Sequence, residues 1–276
     1  MIATEGDLVS GGHLPPSLRS RKDVFLNVPY DKCYEDLYLA FIAGLCGFGL
    51  MPHATIEIPG SARRLDRILT LIRSCRYSFH DLSRVELSQT PPPTPRFNMP
   101  FELGLAVAIA KMGRRKHEWF VFESVRHRLN KSLSDLAGTD PYIHEGTSRG
   151  VLGALANALS RSRHRPTVRD LEMIFEDLKK TATVIKRDLH TDSLFEARPF
   201  HELVTAARVI AVQPVLLSAT LVVAALGCTI LVPTRGATGA AWALVLASIV
   251  QTIWSAVALN RFRAKTARPG QGVEIA

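Results

Sequence analysis

Short apolar runs alternate with amphipathic ones along the N-terminal part of the chain. Residues 24–28 (Val-Phe-Leu-Asn-Val) are β-branched and aromatic and are stopped by Pro29-Tyr30-Asp31, which predicts a buried strand. Residues 34–47 carry Leu37, Phe41 and Leu45 at helical spacing, with Gly47 and Gly49 as terminator. Residues 53–58 predict a second strand, closed by Pro59-Gly60. Ser61 is placed to cap a basic helix running to Cys75, with Leu65, Ile68, Leu69 and Ile72 inward. Further strands are predicted over 77–82, 117–122 and 142–144. Helices are predicted over 98–112, 132–136 and 149–161, and a proline-rich loop over 89–95. Strands and helices alternating in this way imply right-handed crossovers and a parallel sheet covered on both faces. The fold class read from the pattern is therefore α/β, a flavodoxin-like domain over 22–165.

Beyond Pro166 the pattern turns purely helical. Residues 168–187 are charged and amphipathic, and 200–207 lead into an apolar stretch, so 166–208 read as a helical connector. No charged residue occurs from Val209 to Val232, nor from Gly236 to Leu259. At about 1.5 Å per residue each run is roughly 36 Å long as a helix, enough to cross a hydrocarbon core of about 30 Å. Pro233-Thr234-Arg235 joins them, which predicts a transmembrane helical hairpin over 209–259, followed by a tail over 260–276.

Composition narrows the class. The chain has 276 residues, 47% hydrophobic and 21% charged, which excludes a disordered, collagen-like or disulfide-stapled protein. Its four cysteines include no CxxC pair, so neither a zinc site nor a disulfide framework is expected. A net charge of +9 points to an anionic partner. Arg208 precedes the first apolar run, and Arg261, Arg263 and Lys265 follow the second, whereas the hairpin tip holds Arg235 alone. By the positive-inside rule the α/β domain and the tail face the cytoplasm, and the lipid bilayer is the expected partner. Residues 1–21 hold early acids and no apolar core, which fits a mobile leader and not a signal peptide.

Ligands of open parallel sheets bind beyond the carboxyl ends of the strands, so those ends hold the candidate chemistry. Glu102 stands one turn into the helix that begins near Asn98, with Pro100 in the first turn and Gly104 leaving the surface open beside it. An acid there also complements the helix dipole. Asp81 ends a strand and can bind a hydroxyl, although an Asx turn into Ser83 accounts for it equally well. Asn27, Tyr30 and Asp31 follow the first strand and can line a base or phosphate pocket, and Asn98 is placed to hydrogen-bond the Glu102 carboxylate.

The strings Val-Phe-Leu-Asn-Val-Pro-Tyr-Asp (24–31), Arg-Tyr-Ser-Phe-His-Asp-Leu-Ser-Arg (76–84) and Arg-Phe-Asn-Met-Pro-Phe-Glu-Leu-Gly (96–104) resemble a bacterial family of TIR-like proteins, related in fold to the nucleoside 2-deoxyribosyltransferases. The resemblance covers 22–165. It implies cleavage of an N-glycosidic bond, with Glu102 as the catalytic carboxylate and Asp81 as the sugar ligand. NAD, or a related nucleotide or nucleoside, is then substrate, and no metal or cofactor is implied. A role in bacterial defence or stress signalling at the inner membrane follows from the same likeness, as does the alternative of a non-catalytic TIR-like module that forms homo-oligomers. Residues 231–244 are similar to the last helix pair of polysaccharide flippases, but a lone pair cannot form a transport path. It reads instead as an anchor that associates through small residues.

Other motifs carry less. The glycines at 44, 47 and 49 close a helix instead of opening one, so they do not make a dinucleotide fingerprint. The basic run Arg161, Arg163, His164, Arg165 reads as a solvated or membrane-facing helix end, and no nucleic acid partner is expected.

Overall fold

A computed structural model describes residues 22–266, apart from 59–62, 85–86, 88–90, 114–115 and 137, and apart from the side chains of 213–223, 227, 231, 234–235, 246, 250–251 and 253–266. The predicted leader, the Ser61 cap, the start of the proline-rich loop and most of the tail lie outside the described residues.

Five parallel strands form one sheet in the order β2-β1-β3-β4-β5. They are β1 (Asp23–Asn27), β2 (Met51–Ala54), β3 (Tyr77–Asp81), β4 (Glu118–Glu123) and β5 (Tyr142–Ile143). The helices are α1 (Glu35–Gly47), α2 (Arg64–Ser74), α3 (Asn98–Met112), α4 (Arg128–Ser132), α5 (Ser148–Ala158), α6 (Val168–Leu189) and α7 (Ala197–Thr266). This is the flavodoxin-like α/β architecture. The connection from β1 runs to β2 on one side and that from β3 to β4 on the other, so the topological switch point falls between the ends of β1 and β3. Asn27 and His80 face each other in register at that point.

β2 is shorter and earlier than the predicted strand. After Ala54 the chain turns through a single 3-10 turn, Thr55–Glu57, fixed by the Glu57 carboxylate accepting the Ala54 N–H at 2.7 Å. α4 likewise lies ahead of its predicted position, and residues 134–136 form a 3-10 turn.

The two faces of the sheet are covered differently. Phe25 packs with Ile68, Ile72 and Ala106 beneath α2 and α3. On the other face Leu26, Phe79 and Phe122 pack against α1 and α5, and a further layer of α6 and the start of α7 lies outside α1. Every residue from Tyr38 to Gly47 is consequently buried. A helix apolar on all sides needs such a double cover. Gly44 and Gly47 permit it: a Cβ on Gly44 would lie 2.5 Å from Leu155 Cδ1, and one on Gly47 2.4 Å from Leu171 Cδ2.

The segment read as a connector is therefore helical but packed into the core. Leu171, Leu178, Leu203 and Ala207 are all fully buried in the cluster that holds α1. Lys186 pairs with Glu35 at 2.7 Å and Lys179 with Asp36 at 2.8 Å, tying α6 antiparallel to α1. Leu171→Ala is expected to cost about 2–5 kcal/mol, as at other buried leucines. Chemical denaturation of the full chain checks this, and an unchanged midpoint would mark α6 as detachable.

α7 is broken at Gly236 (φ 57°, ψ −138°), a conformation reserved to glycine, one residue past the predicted connector. Among the described residues no helix is long and apolar enough to cross a membrane.

Candidate active site

The crevice is assembled by neutral contacts. The Asn27 side-chain amide donates to the Met99 carbonyl and to His80 Nδ1, each at 3.0 Å. Since an amide N–H can only donate, His80 carries its proton on Nε2, and that atom is buried without a partner. Burial, with help from His117, holds the His80 pKa down at about 3, so the ring is neutral. Asn27 thus acts by fastening the first turn of α3 to the ends of β1 and β3. Its own Oδ1 is buried and unpartnered.

That turn sets the position of Glu102. Met99, Glu102, Leu103 and Ala106 form the buried stripe of α3, so the carboxylate lies on the face turned inward. The sequence places it at a crevice mouth; in the structure it is buried, 5% exposed. Oε2 has no hydrogen-bond partner, and no ion pair to Glu102 exists among the described residues. Burial raises its pKa from 4.5 to about 7, opposed only by the field of Arg64. Gly104 points away from the crevice into open space.

Tyr30 and Arg64 complete the surroundings. The Tyr30 hydroxyl lies 3.4 Å from Thr55 Oγ1. Burial first, and the nearby Glu102 carboxylate among smaller influences, push the phenol well above its usual range, so it remains a hydroxyl. Arg64 donates to the Ile58 carbonyl at 2.6 Å and to that of Thr55 at 3.3 Å, which ties the start of α2 to the turn after β2.

Asp81 is engaged by the protein itself. It is fully buried, Oδ1 accepts the Ser83 N–H at 2.7 Å in an Asx turn, and Oδ2 accepts the Tyr34 hydroxyl. His144 Nε2 lies 3.1 Å from the same oxygen, off the direction of a hydrogen bond. The Gly146 N–H donates to His144 Nδ1, which puts the imidazole proton on Nε2, facing Asp81. Each Asp81 oxygen accepts one hydrogen bond from the protein, and the group has no exposed surface at which to meet a sugar hydroxyl. Asn98 lies apart from the carboxyl. It is exposed at the start of α3, and among the described residues it makes no bond to Glu102.

Asp31 stays at the rim, half-buried between two guanidiniums. Arg96 Nη2 stands 3.2 Å and Arg84 Nε 3.4 Å from its Oδ2. Two cations facing one carboxylate leave the rim net positive. Behind it Glu123 pairs with Arg128, which also donates to the Ser83 carbonyl at 2.6 Å and holds the turn after β3.

Sequence reasoning missed Arg64, Arg84, Arg96, Tyr34 and His144. A signal existed for Arg64: a cation in the first turn of a helix opposes the dipole, which favours a separate reason for its presence. The others are gathered only by the fold. No protein-family model matches the chain, and no curated protein does.

Proposed function

We propose that the protein is a membrane-anchored, TIR-like hydrolase that cleaves the N-glycosidic bond of NAD or a related nucleotide. The observation that carries this reading is the Glu102 carboxyl, buried at the carboxyl end of the sheet, with Oε2 unpartnered among the described residues. A destabilised acid at such a place is a signature of a functional site. In the reaction the C1′–N bond breaks with its electron pair going to the base. Glu102 steadies the oxocarbenium-like sugar or bonds to C1′, and water then adds to C1′ and loses a proton.

The leaving group favours NAD. Nicotinamide departs from a pyridinium as a neutral molecule and needs no proton, whereas a nucleoside base needs a general acid. With Asp81 bonded to Tyr34 and Ser83, no second free acid stands beside Glu102 among the described residues. The positive rim at Arg84 and Arg96 further favours a phosphorylated substrate. The full chain is expected to release nicotinamide from NAD at least about 100-fold faster than it releases bases from nucleosides, measured by chromatography. Arg96→Gln is expected to raise KM for NAD roughly tenfold with kcat little changed. Equal turnover of NAD and nucleosides would contradict the substrate class.

The membrane anchor rests on the C-terminal helices. Ala243 and Ala247 are 0% and 3% exposed, whereas Leu226, Ile230, Trp242 and Leu244 are more than half exposed. Burying alanine while exposing leucine, isoleucine and tryptophan inverts the order of a water-facing helix pair and suits helices packed within lipid. The uncharged runs 209–232 and 236–259, with the turn at Gly236, support a hairpin whose ends both lie in the bacterial cytoplasm. The competing reading, a non-catalytic module that assembles at the membrane, draws on the low exposure of Glu102, and the same assay separates the two.

A further inference from the structure

The end of the sheet opposite Glu102 holds a cavity of about 1200 Å³. Its walls come from the residues just before β1, β3 and β4, from the end of α1 and from the segment after α5. Five lysines and arginines line it (Lys22, Arg76, Lys116, Arg161, Arg163) against one acid, Glu118. Glu118 is shared: Lys116 Nζ lies 3.0 Å and Arg76 Nη2 3.9 Å from its Oε1. Arg76 Nε is buried with no partner, and its guanidinium sits 5.0 Å above the Tyr77 ring. Arg161 and Arg163 are exposed and make no ion pair among the described residues. The floor is aromatic, with Tyr77 and Tyr142 each 6.1 Å from Phe120 between them, and Phe48 and Leu50 add an apolar wall. Nothing in the proposed reaction uses these residues.

The path of α7 says what this end of the molecule faces. Tyr38 donates to the Leu194 carbonyl just before α7, Cys46 Sγ lies 3.9 Å from the Val204 carbonyl, and Arg208 Nη1 reaches Met51 Sδ at 3.3 Å. The pairing advances along α1 in step, so α7 runs parallel to α1, from the crevice end of the sheet to its N-terminal edge. Arg208 therefore brings the chain out at the edge that holds the basic cavity, one residue before the uncharged run begins.

We infer that this cavity seats the phosphate headgroup of an anionic phospholipid from the leaflet that α7 enters, and that the seated lipid holds the domain with its Glu102 crevice turned away from the bilayer. The inference rests on the hairpin reading above. Its chemistry is that of a lipid headgroup at an interface: unneutralised guanidiniums for the phosphate, tyrosines at the polar boundary, and an apolar wall for the glycerol and first methylenes. Anchor and cavity share one edge, so the lipid needs no movement of the domain to reach it.

The test uses the full chain purified from membranes in mild detergent, with retained phospholipids counted by native mass spectrometry. Phosphatidylglycerol is expected to be retained about tenfold over phosphatidylcholine, and the double variant Arg161→Gln/Arg163→Gln to lose that preference while retaining its thermal midpoint. Arg76→Gln, at the buried end of the site, is expected to reduce it also. Equal retention of the two lipids, or an unchanged preference in both variants, would overturn the inference. So would displacement of the lipid by millimolar nucleoside triphosphate, which would make the ligand a soluble phosphate. Alkaline carbonate extraction isolates the underlying reading. A chain released by carbonate sinks the hairpin itself, whereas a chain that stays in the membrane without lipid preference sinks only the headgroup site.

Discussion

Glu102→Gln is expected to lower NAD cleavage by about 1,000-fold or more and, at the same time, to make the protein more stable above pH 7. The first effect follows from losing the negative charge that a sugar cation requires. The second follows from the environment of the carboxyl. Its pKa is 4.5 in the open chain and about 7 when folded, so the folded state binds the proton more tightly. The stability of the wild-type protein then falls as pH rises from about 4.5 to about 7 and levels off beyond, a loss of about 3 kcal/mol at most from this group. Glutamine has no charge to strip of water and escapes that loss. The thermal midpoint of the variant should exceed that of wild type by roughly 5–10 °C at pH 8 and match it at pH 4. Activity of the wild-type protein should move the opposite way, with kcat/KM rising with pH below about 7 and reaching a plateau above it, because the ionised carboxylate is the working form. A variant that is inactive but no more stable at pH 8 would mean that Glu102 has an unrecognised partner.

Asp81→Ala is expected to act on folding and not on substrate. It leaves the Tyr34 hydroxyl and the Ser83 N–H without their acceptor, and His144 without the carboxylate beside it, in a fully buried site, at a cost of about 3–5 kcal/mol. The thermal midpoint should fall accordingly, while KM for NAD, measured below the transition, stays within about twofold of wild type. A tenfold rise in KM with an unchanged midpoint would return Asp81 to the substrate. The contrast between these two acids is that Asp81 accepts hydrogen bonds from Tyr34 and Ser83, whereas Glu102 Oε2 has no hydrogen-bond partner among the described residues.

The sheet was legible because its strands are nearly continuous apolar runs with proline, glycine or aspartate behind them, as in 24–31 and 77–81. The second strand was misplaced because the Glu57 carboxylate caps a turn where Ile56 and Ile58 read as β-branched strand residues. The outer helical layer was not read, although α1 carried its trace: Ile42, Ala43 and Cys46 extend the apolar surface around the helix and demand cover on the side away from the sheet. Glu102 was identifiable from its place after β3. Its depth was not, since the buried stripe of α3 packs against elements distant in sequence. Asp81 shows the limit most clearly. Its short-range partner, Ser83, was visible two residues on, but Tyr34 and His144 arrive from 47 residues before and 63 residues after it, and only the parallel crossover order brings them together.

The most direct test is a single-turnover measurement with the full chain in excess over NAD at pH 8, following free nicotinamide by chromatography for wild type and Glu102→Ala side by side. The account predicts release by the wild-type protein and none above the uncatalysed rate for the variant. Release at equal rates by both, or by neither, would contradict it.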